Sequence, residues 1–281
     1  MDEPRIQLRN PWLAAVLGYL IPGAGHVYQG RYFKGALYFL CILGTFLWGM
    51  SLGEWKVVYF RRDATETTYG YLAQILAGLP ALPALVQAKR YQQPGNEPQI
   101  SLAEPLSAPF EGTLTERTEG GDSVETRLSG TIELEPFRGQ LGTALVQGRF
   151  VGTKNGEGAV ELPLSGEFRM DRPIQADEQR RLEVRLSGGR GFLEGGIPRS
   201  FRNWFEVPPS DEILQDLNGR LGKRYELAKV FTWIAGLLNI LAIWDALEGP
   251  AYGYGHEEER SGGRDSKKRK DEEPEEDEKA A

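Results

Sequence analysis

The feature that most constrains this fold is the position of its long apolar runs, which lie on either side of a polar middle region. Gly35 to Leu52 contains no charged residue, and it is long enough to cross a bilayer as a helix. A second run, Val230 to Leu247, has Asn239 inside it and Asp245 near its end. The mean hydropathy of -0.41 is typical of a soluble protein, but membrane helices are recognised in local windows, so the two runs outweigh the mean.

Two further segments are shorter or more interrupted. Trp12 to Ile21 can cross a bilayer only if its helix continues through Pro22 to about Tyr28. Tyr69 to Val86 contains two prolines, which membrane helices tolerate. A re-entrant or interfacial segment is the alternative interpretation of this stretch. We therefore expect three or four membrane helices.

A signal peptide is the alternative interpretation of the first run, which follows Arg5 and Arg9. The residues after it, PGAGHVYQ, do not form a clear small-x-small cleavage site, and the next apolar run follows closely. A membrane segment fits this part of the sequence better.

Between the apolar runs, apolar and polar residues alternate along the sequence, as they do in β-strands with one face exposed to water. Apolar residues of one parity alternate with polar or charged ones in three segments: Val124, Leu128, Ile132 and Leu134; Val160, Leu162, Leu164, Phe168 and Met170; and Leu182, Val184 and Leu186. Further strands are expected near 110–117, 143–151 and 191–197. Six mostly antiparallel strands can bury a core only as a small barrel or a sandwich.

These patterns predict a mixed fold in which helical membrane segments carry an inserted all-β domain. The expected divisions are 1–90 for the membrane hairpin and third segment, 108–205 for the β domain, 210–248 for an amphipathic helix and the last membrane helix, and 250–281 for a disordered charged tail. Ser210 is the expected N-cap of the amphipathic helix, which would lie along the membrane surface or against the sheet. The tail has too few apolar residues to offset its conformational entropy.

The segment from Ile21 to Gly35, IPGAGHVYQGRYFKG, is either a ligand loop or a turn between helices. A phosphate loop needs a preceding strand and converging backbone amides, and the spacing of these glycines does not match that pattern. A membrane hairpin accounts for more of the residues, because proline loosens a helix end and glycine permits a positive φ. The residues assigned to this structural motif are Pro22, Gly23, Gly25, His26, Tyr28 and Gly30, with Asp245 in the last helix.

The stretch from Leu13 to Arg31, followed by Lys34-Gly35, resembles the P-G-x-G-x-x-Y-x-G signature of the two-transmembrane-domain superfamily and its bacterial relatives. Ile243-Trp244-Asp245-Ala246 is similar to the aspartate-containing end of the closing helix in such proteins. The resemblance implies a multi-pass envelope protein of an uncharacterised bacterial family, with no inherited catalytic residue. A bacterial inner membrane is the expected location.

The sequence offers little support for catalysis. It contains two histidines and one cysteine, Cys41, so an intramolecular disulfide is impossible, and no metal, cofactor or nucleophile–base motif is present. A net charge of -7 gives no reason to expect nucleic-acid binding. We expect a non-enzymatic membrane protein whose partners are the lipid bilayer and a protein or envelope component bound by the β domain; the alternative is a small transporter or channel component, indicated by Asn239 and Asp245.

Overall fold

The computed structural model describes residues 9–61, 69–117, 123–138, 144–188 and 191–248. The tail expected over 250–281, with His256, lies outside the described residues. By their internal contacts the residues form two units. We call 9–47, 73–79 and 233–248 the helical unit, and the described residues of 48–72 and 80–232 the barrel unit.

Seven α-helices occur in the described residues: α1 Pro11–Leu20, α2 Ala24–Tyr28, α3 Tyr32–Leu52, α4 Tyr71–Gln74, α5 Pro83–Tyr91, α6 Asp211–Leu221 and α7 Lys223–Glu248. Short 3-10 helices lie at Ile75–Ala77 and Phe201–Asn203. Asn10 caps α1 by accepting from the backbone amides of Trp12 and Leu13. The hydroxyl of Ser210 caps α6 in the same way, as the sequence predicts.

Two helices, α3 and α7, are long and apolar enough to cross a membrane. The expectation of three or four membrane helices is wrong for the first and third segments. The first helix ends at Leu20 rather than continuing to Tyr28. The segment from Tyr69 to Val86 breaks into α4, a 3-10 turn and the start of α5, because Gly78 has a φ of 81° and two prolines follow it.

The α1–α2 segment is a tight helical hairpin. The guanidinium of Arg9 donates to the carbonyl of Tyr28 at 3.2 Å. Gly25 packs so closely on Ala14 that an added Cβ would overlap the Ala14 carbonyl. The chain therefore turns back after Leu20, and the two ends of this hairpin lie side by side.

Six strands form a closed antiparallel barrel in the order of the sequence: β1 Leu106–Arg117, β2 Ser123–Arg138, β3 Ala144–Lys154, β4 Glu157–Met170, β5 Gln179–Leu186 and β6 Gly191–Pro198. Closure between β1 and β6 decides between the two predicted architectures in favour of the barrel. The alternating apolar residues face inward and form the core, which includes Phe110, Leu128, Ile132, Phe150, Leu182 and Leu193.

Candidate functional site

The candidate functional site is a polar cluster in the helical unit, centred on His26 and Asp245. The Nε2 atom of His26 lies 2.8 Å from the Oδ2 atom of Asp245. His26 is only 1% exposed, whereas the Asp245 side chain is 20% exposed. Because an ionised carboxylate can only accept hydrogen bonds, Nε2 carries the proton in this pair. The contact joins α2 to the end of α7.

Three more side chains surround the same carboxylate. The ammonium of Lys34 lies 3.8 Å from Oδ2, and the guanidinium of Arg31 lies 4.0 Å from Oδ1. The Tyr38 hydroxyl donates to Oδ2 at 3.5 Å, and its ring lies 4.8 Å from the imidazole of His26. One carboxylate thus holds the first turns of α3 and the buried histidine together.

Glycine makes the approach of these elements possible. Gly23 has a φ of 80°, which residues other than glycine rarely adopt. A Cβ at Gly23 would also overlap the carbonyl of Gly35 in α3. The turn at Pro22 and Gly23 is buried, and it delivers His26 to the interior of the unit.

The structure brings only some of the motif residues into the cluster. Among the residues singled out in the sequence, His26 and Asp245 bond to each other, while Gly23 and Gly25 provide the close packing. The backbone carbonyl of Tyr28 accepts a hydrogen bond from Arg9, and the guanidinium of Arg9 lies over the Tyr28 ring. Gly30 has a φ of 83° in an open turn, so its role is conformational.

Sequence reasoning missed several members of the cluster. Gln29 donates from Nε2 to the carbonyl of Ala246 at 2.5 Å, and Arg31 donates to the carbonyl of Asp245 at 3.3 Å. Both satisfy carbonyls near the C-terminal end of α7, which have few partners within the helix. A basic residue between two apolar runs was the available signal for Arg31, whereas nothing in the sequence marked Tyr38.

A second polar contact lies farther along α7. Asn239 is fully buried, and its Nδ2 donates to the carbonyl of Leu76 at 2.9 Å. Its Oδ1 has no hydrogen-bonding partner among the described residues. Nearby, Leu79 donates its amide to the carbonyl of Leu20 at 2.9 Å. The broken third segment therefore meets both α7 and the tip of the first hairpin.

The barrel unit contains a separate open cleft of about 1150 Å³. Residues of β1, β6 and α6 line it, together with the segments around 51–56 and 171–181. Arg220 binds both carboxylate oxygens of Glu54 at 3.0 Å, and Lys56 lies 3.8 Å from Asp177. Burial raises the pKa of Asp177, although Lys56 and Arg199 oppose the shift. Eight acids outnumber three bases in the lining: Glu54, Glu111, Asp171, Asp177, Glu178, Glu194, Glu212 and Asp216, against Lys56, Arg181 and Arg220.

One buried acid of the barrel unit lies outside this cleft. Glu206 is 1% exposed, and neither carboxyl oxygen has a hydrogen-bonding partner among the described residues. Burial raises its pKa to about 9, and the nearby amide of Ala84 opposes the shift without reaching hydrogen-bonding geometry. Glu206 is therefore neutral at pH 7.

The contacts that the structure shows in these places are hydrogen bonds and charge pairs. No group of three or more His, Cys, Asp and Glu side chains within the described ranges is placed to hold a metal ion. The His26–Asp245 pair resembles a base and its orienting acid, but the imidazole is only 1% exposed and Tyr38 and Lys34 lie against the carboxylate. The arrangement is suited to fastening helices together.

Comparison with known proteins places the chain in one family. A family of unknown function (DUF6677) matches residues 13–259. The match includes the first hairpin, the barrel and α7. No curated protein and no solved structure matches the chain.

Proposed function

The chain therefore belongs to this family of unknown function, and we propose that it is a non-enzymatic integral membrane protein whose barrel binds a protein or envelope component. The helical unit is its anchor, and a bacterial inner membrane is its location. The similarity of the hairpin and of Asp245 to the two-transmembrane-domain signature supports this interpretation.

The exposure of the two long helices carries the membrane part of the proposal. Only 28% of the most apolar stretch of α3 and 33% of that of α7 is buried. Leu40 and Leu241 are 69% and 63% exposed. The core helix of a soluble protein buries such side chains, whereas a membrane helix presents them to lipid. An exposed apolar surface on both helices is therefore best explained by hydrocarbon around them.

The hairpin gives the anchor a specific topology with two spanning helices. Because the first hairpin turns back after Leu20, it enters and leaves the bilayer on one side. The third segment enters from the other side, and the Leu79–Leu20 hydrogen bond marks where the two re-entrant segments meet. Irregular backbone is tolerated at membrane depth where protein surrounds it, and Pro22, Gly23, Ala77 and Gly78 of these turns are buried.

Cysteine accessibility in cells tests this topology. In a Cys41→Ala background, Tyr32→Cys reports on the start of α3 and Ser129→Cys reports on the barrel. Two spans place position 32 on the side of an N-terminal tag and position 129 on the opposite side. Four spans place positions 32 and 129 on the same side, so labelling of both by one impermeant reagent contradicts the proposal.

The cleft beside β1 and β6 carries the binding part of the proposal. It is open and polar, whereas apolar side chains fill the inside of the barrel. A photo-crosslinking residue at Thr113, in the cleft, should form a discrete adduct in cells. The matched control is Val151, which is 45% exposed and lies outside the cleft. Adducts of equal yield at both positions, or none at Thr113, would contradict binding in the cleft.

A second function, transport, is favoured by the meeting of two re-entrant segments beside the buried Asn239. Broken helices at the middle of a membrane form substrate and ion sites in many transporters. Asn239→Leu should then abolish solute flux in reconstituted vesicles. Thr45→Val is the control and should leave the flux unchanged, because it removes a hydroxyl that donates only to the Cys41 carbonyl within α3. Unchanged flux in the Asn239 variant would remove this alternative.

A further inference from the structure

Three aromatic side chains form a platform at the surface of the barrel unit. The rings of Phe201 and Phe205 stack with centroids 4.5 Å apart. Trp204 meets them edge-on at 5.3 Å and 6.1 Å. Phe201 remains 61% exposed despite these contacts. We call these three residues the aromatic platform.

The aromatic platform is fixed to α5 by hydrogen bonds. Gln87, which is buried, donates from Nε2 to the carbonyls of Arg202 and Phe205 at 2.9 Å and 2.7 Å. Arg90 donates to the carbonyl of Arg202 at 2.6 Å and to Oδ1 of Asn203 at 2.9 Å. These bonds satisfy the carbonyls of the turn and hold the rings in one orientation. The platform is therefore a preformed surface.

Apolar and basic side chains surround the platform. Val86 on α5 is 62% exposed, and Leu85 beside it is also exposed. Lys89 and Arg202 are exposed at the surface as well. Aromatic rings next to aliphatic side chains and cations are the composition of segments that lie in the headgroup region of a membrane.

The chain connects this surface closely to the membrane anchor. Leu79 belongs to the helical unit, and α5 begins at Pro83 after only three intervening residues. Glu206, which follows the platform, faces the amide of Ala84 in the first turn of α5. The platform is therefore bonded to the helix that follows the re-entrant segment directly in the chain.

We infer that the aromatic platform and the exposed face of α5 are a membrane-docking surface that binds anionic phospholipid headgroups on the barrel side. The rings and Val86 enter the headgroup–acyl boundary, and Lys89 and Arg202 pair with lipid phosphates. The inference rests on the membrane anchoring proposed above, to which it adds a second, peripheral contact. Its consequence is that the barrel unit is held at the bilayer surface.

Fluorescence quenching of the full-length protein in nanodiscs tests the docking surface. An environment-sensitive label is attached at Val86→Cys or Phe201→Cys, each in the Cys41→Ala background. The control is Val151→Cys on the barrel wall, which is also exposed. Position 86 keeps the test valid if loss of the Phe201 ring disturbs the turn. The nanodiscs contain phosphatidylcholine with or without phosphatidylglycerol, and one lipid carries a nitroxide just below its headgroup.

We expect labels at positions 86 and 201 to emit at shorter wavelength and to be quenched several-fold more strongly by the nitroxide than the label at position 151. Aqueous iodide should show the reverse order. Combined Lys89→Gln and Arg202→Gln substitutions should remove the extra quenching that phosphatidylglycerol produces at position 86.

Equal quenching at all three positions would overturn the inference. If the protein then still resists extraction by alkaline carbonate, the docking surface fails while the anchoring stands. Extraction by carbonate would contradict both the docking surface and the membrane anchoring. A label at position 86 that is shielded from iodide but insensitive to the nitroxide would also overturn the inference, since another protein molecule would then cover the surface.

Discussion

Asp245 is the residue on which most polar contacts of the helical unit converge. It accepts from His26 and Tyr38 and offsets the charges of Arg31 and Lys34. Without it, a buried imidazole loses its partner and two cations lose their counter-charge. Unpaired buried polar groups are costly, so the contacts explain why an acid is needed at this position near the end of an apolar helix.

Asp245→Ala should therefore lower the stability of the detergent-purified protein by roughly 1–3 kcal/mol, the usual cost of leaving a buried hydrogen-bonding group unsatisfied. Thermal unfolding measures the change, and Asp245→Asn should recover part of it because its amide oxygen can still accept from His26. Glu248→Gln is the control, since it removes an exposed carboxylate from the same end of α7. Equal losses from the Asp245→Ala and Glu248→Gln variants would contradict a specific role for the cluster.

Glu206 predicts a pH dependence of folding. Burial raises its pKa from 4.5 in a model peptide to about 9. The folded state therefore keeps a proton that the unfolded state releases, so this group's contribution is complete below pH 4.5 and is lost as pH rises to about 9. Denaturant unfolding across that range should show falling stability in the wild type and a flatter profile in Glu206→Gln. Glu212→Gln, which changes an exposed acid, is the control and should keep the profile of the wild type. Parallel profiles of the wild type and Glu206→Gln would contradict the prediction.

The first hairpin depends on close packing between its two helices. Gly25→Ala would press a methyl group into the carbonyl of Ala14 and against the methyl of Ala246. We expect a loss of about 1–3 kcal/mol, typical of overpacking, together with weaker protection of α2 from proteolysis. Gly44→Ala in α3 is the matched control, because an added Cβ there meets no atom within 4 Å. A Gly25 variant as stable as the Gly44 variant would show that the hairpin does not pack as described.

At the level of elements, the sequence predicted the strands better than the first helix. Alternation of apolar and polar residues marks one face of β2, β4 and β5, and that local pattern survives folding because the same face is buried in the barrel. The end of α1 at Leu20 follows from Gly23 and from the contact of Gly25 with Ala14. Hydropathy carries no information about such packing. From the sequence, a membrane helix that continues to Tyr28 is therefore as consistent with the pattern as one that ends at Leu20.

At the scale of the whole molecule, the decisive contact of the candidate site joins residues 219 positions apart. The sequence could identify His26 and Asp245 as unusual, but not that they meet, since the entire barrel lies between them. The barrel itself needs few contacts outside its own strands for closure. Its fourteen buried core residues all lie in β1 to β6. Insertion of such a unit between α3 and α7 is compatible with the contact that joins His26 to Asp245 in the helical unit.

This self-sufficiency predicts that the fragment 97–200 folds without the helices that flank it in the chain. Closure of β1 on β6 leaves no unpaired edge, and Gln99 adds a backbone bridge to Met170. The purified fragment should give the circular dichroism of strands and a single cooperative unfolding transition. A fragment ending at residue 190 lacks β6, which exposes the edges of β1 and β5, so it should aggregate or remain unfolded. Cooperative folding of the shorter fragment, or none in the longer one, would mean that closure does not supply the barrel's stability.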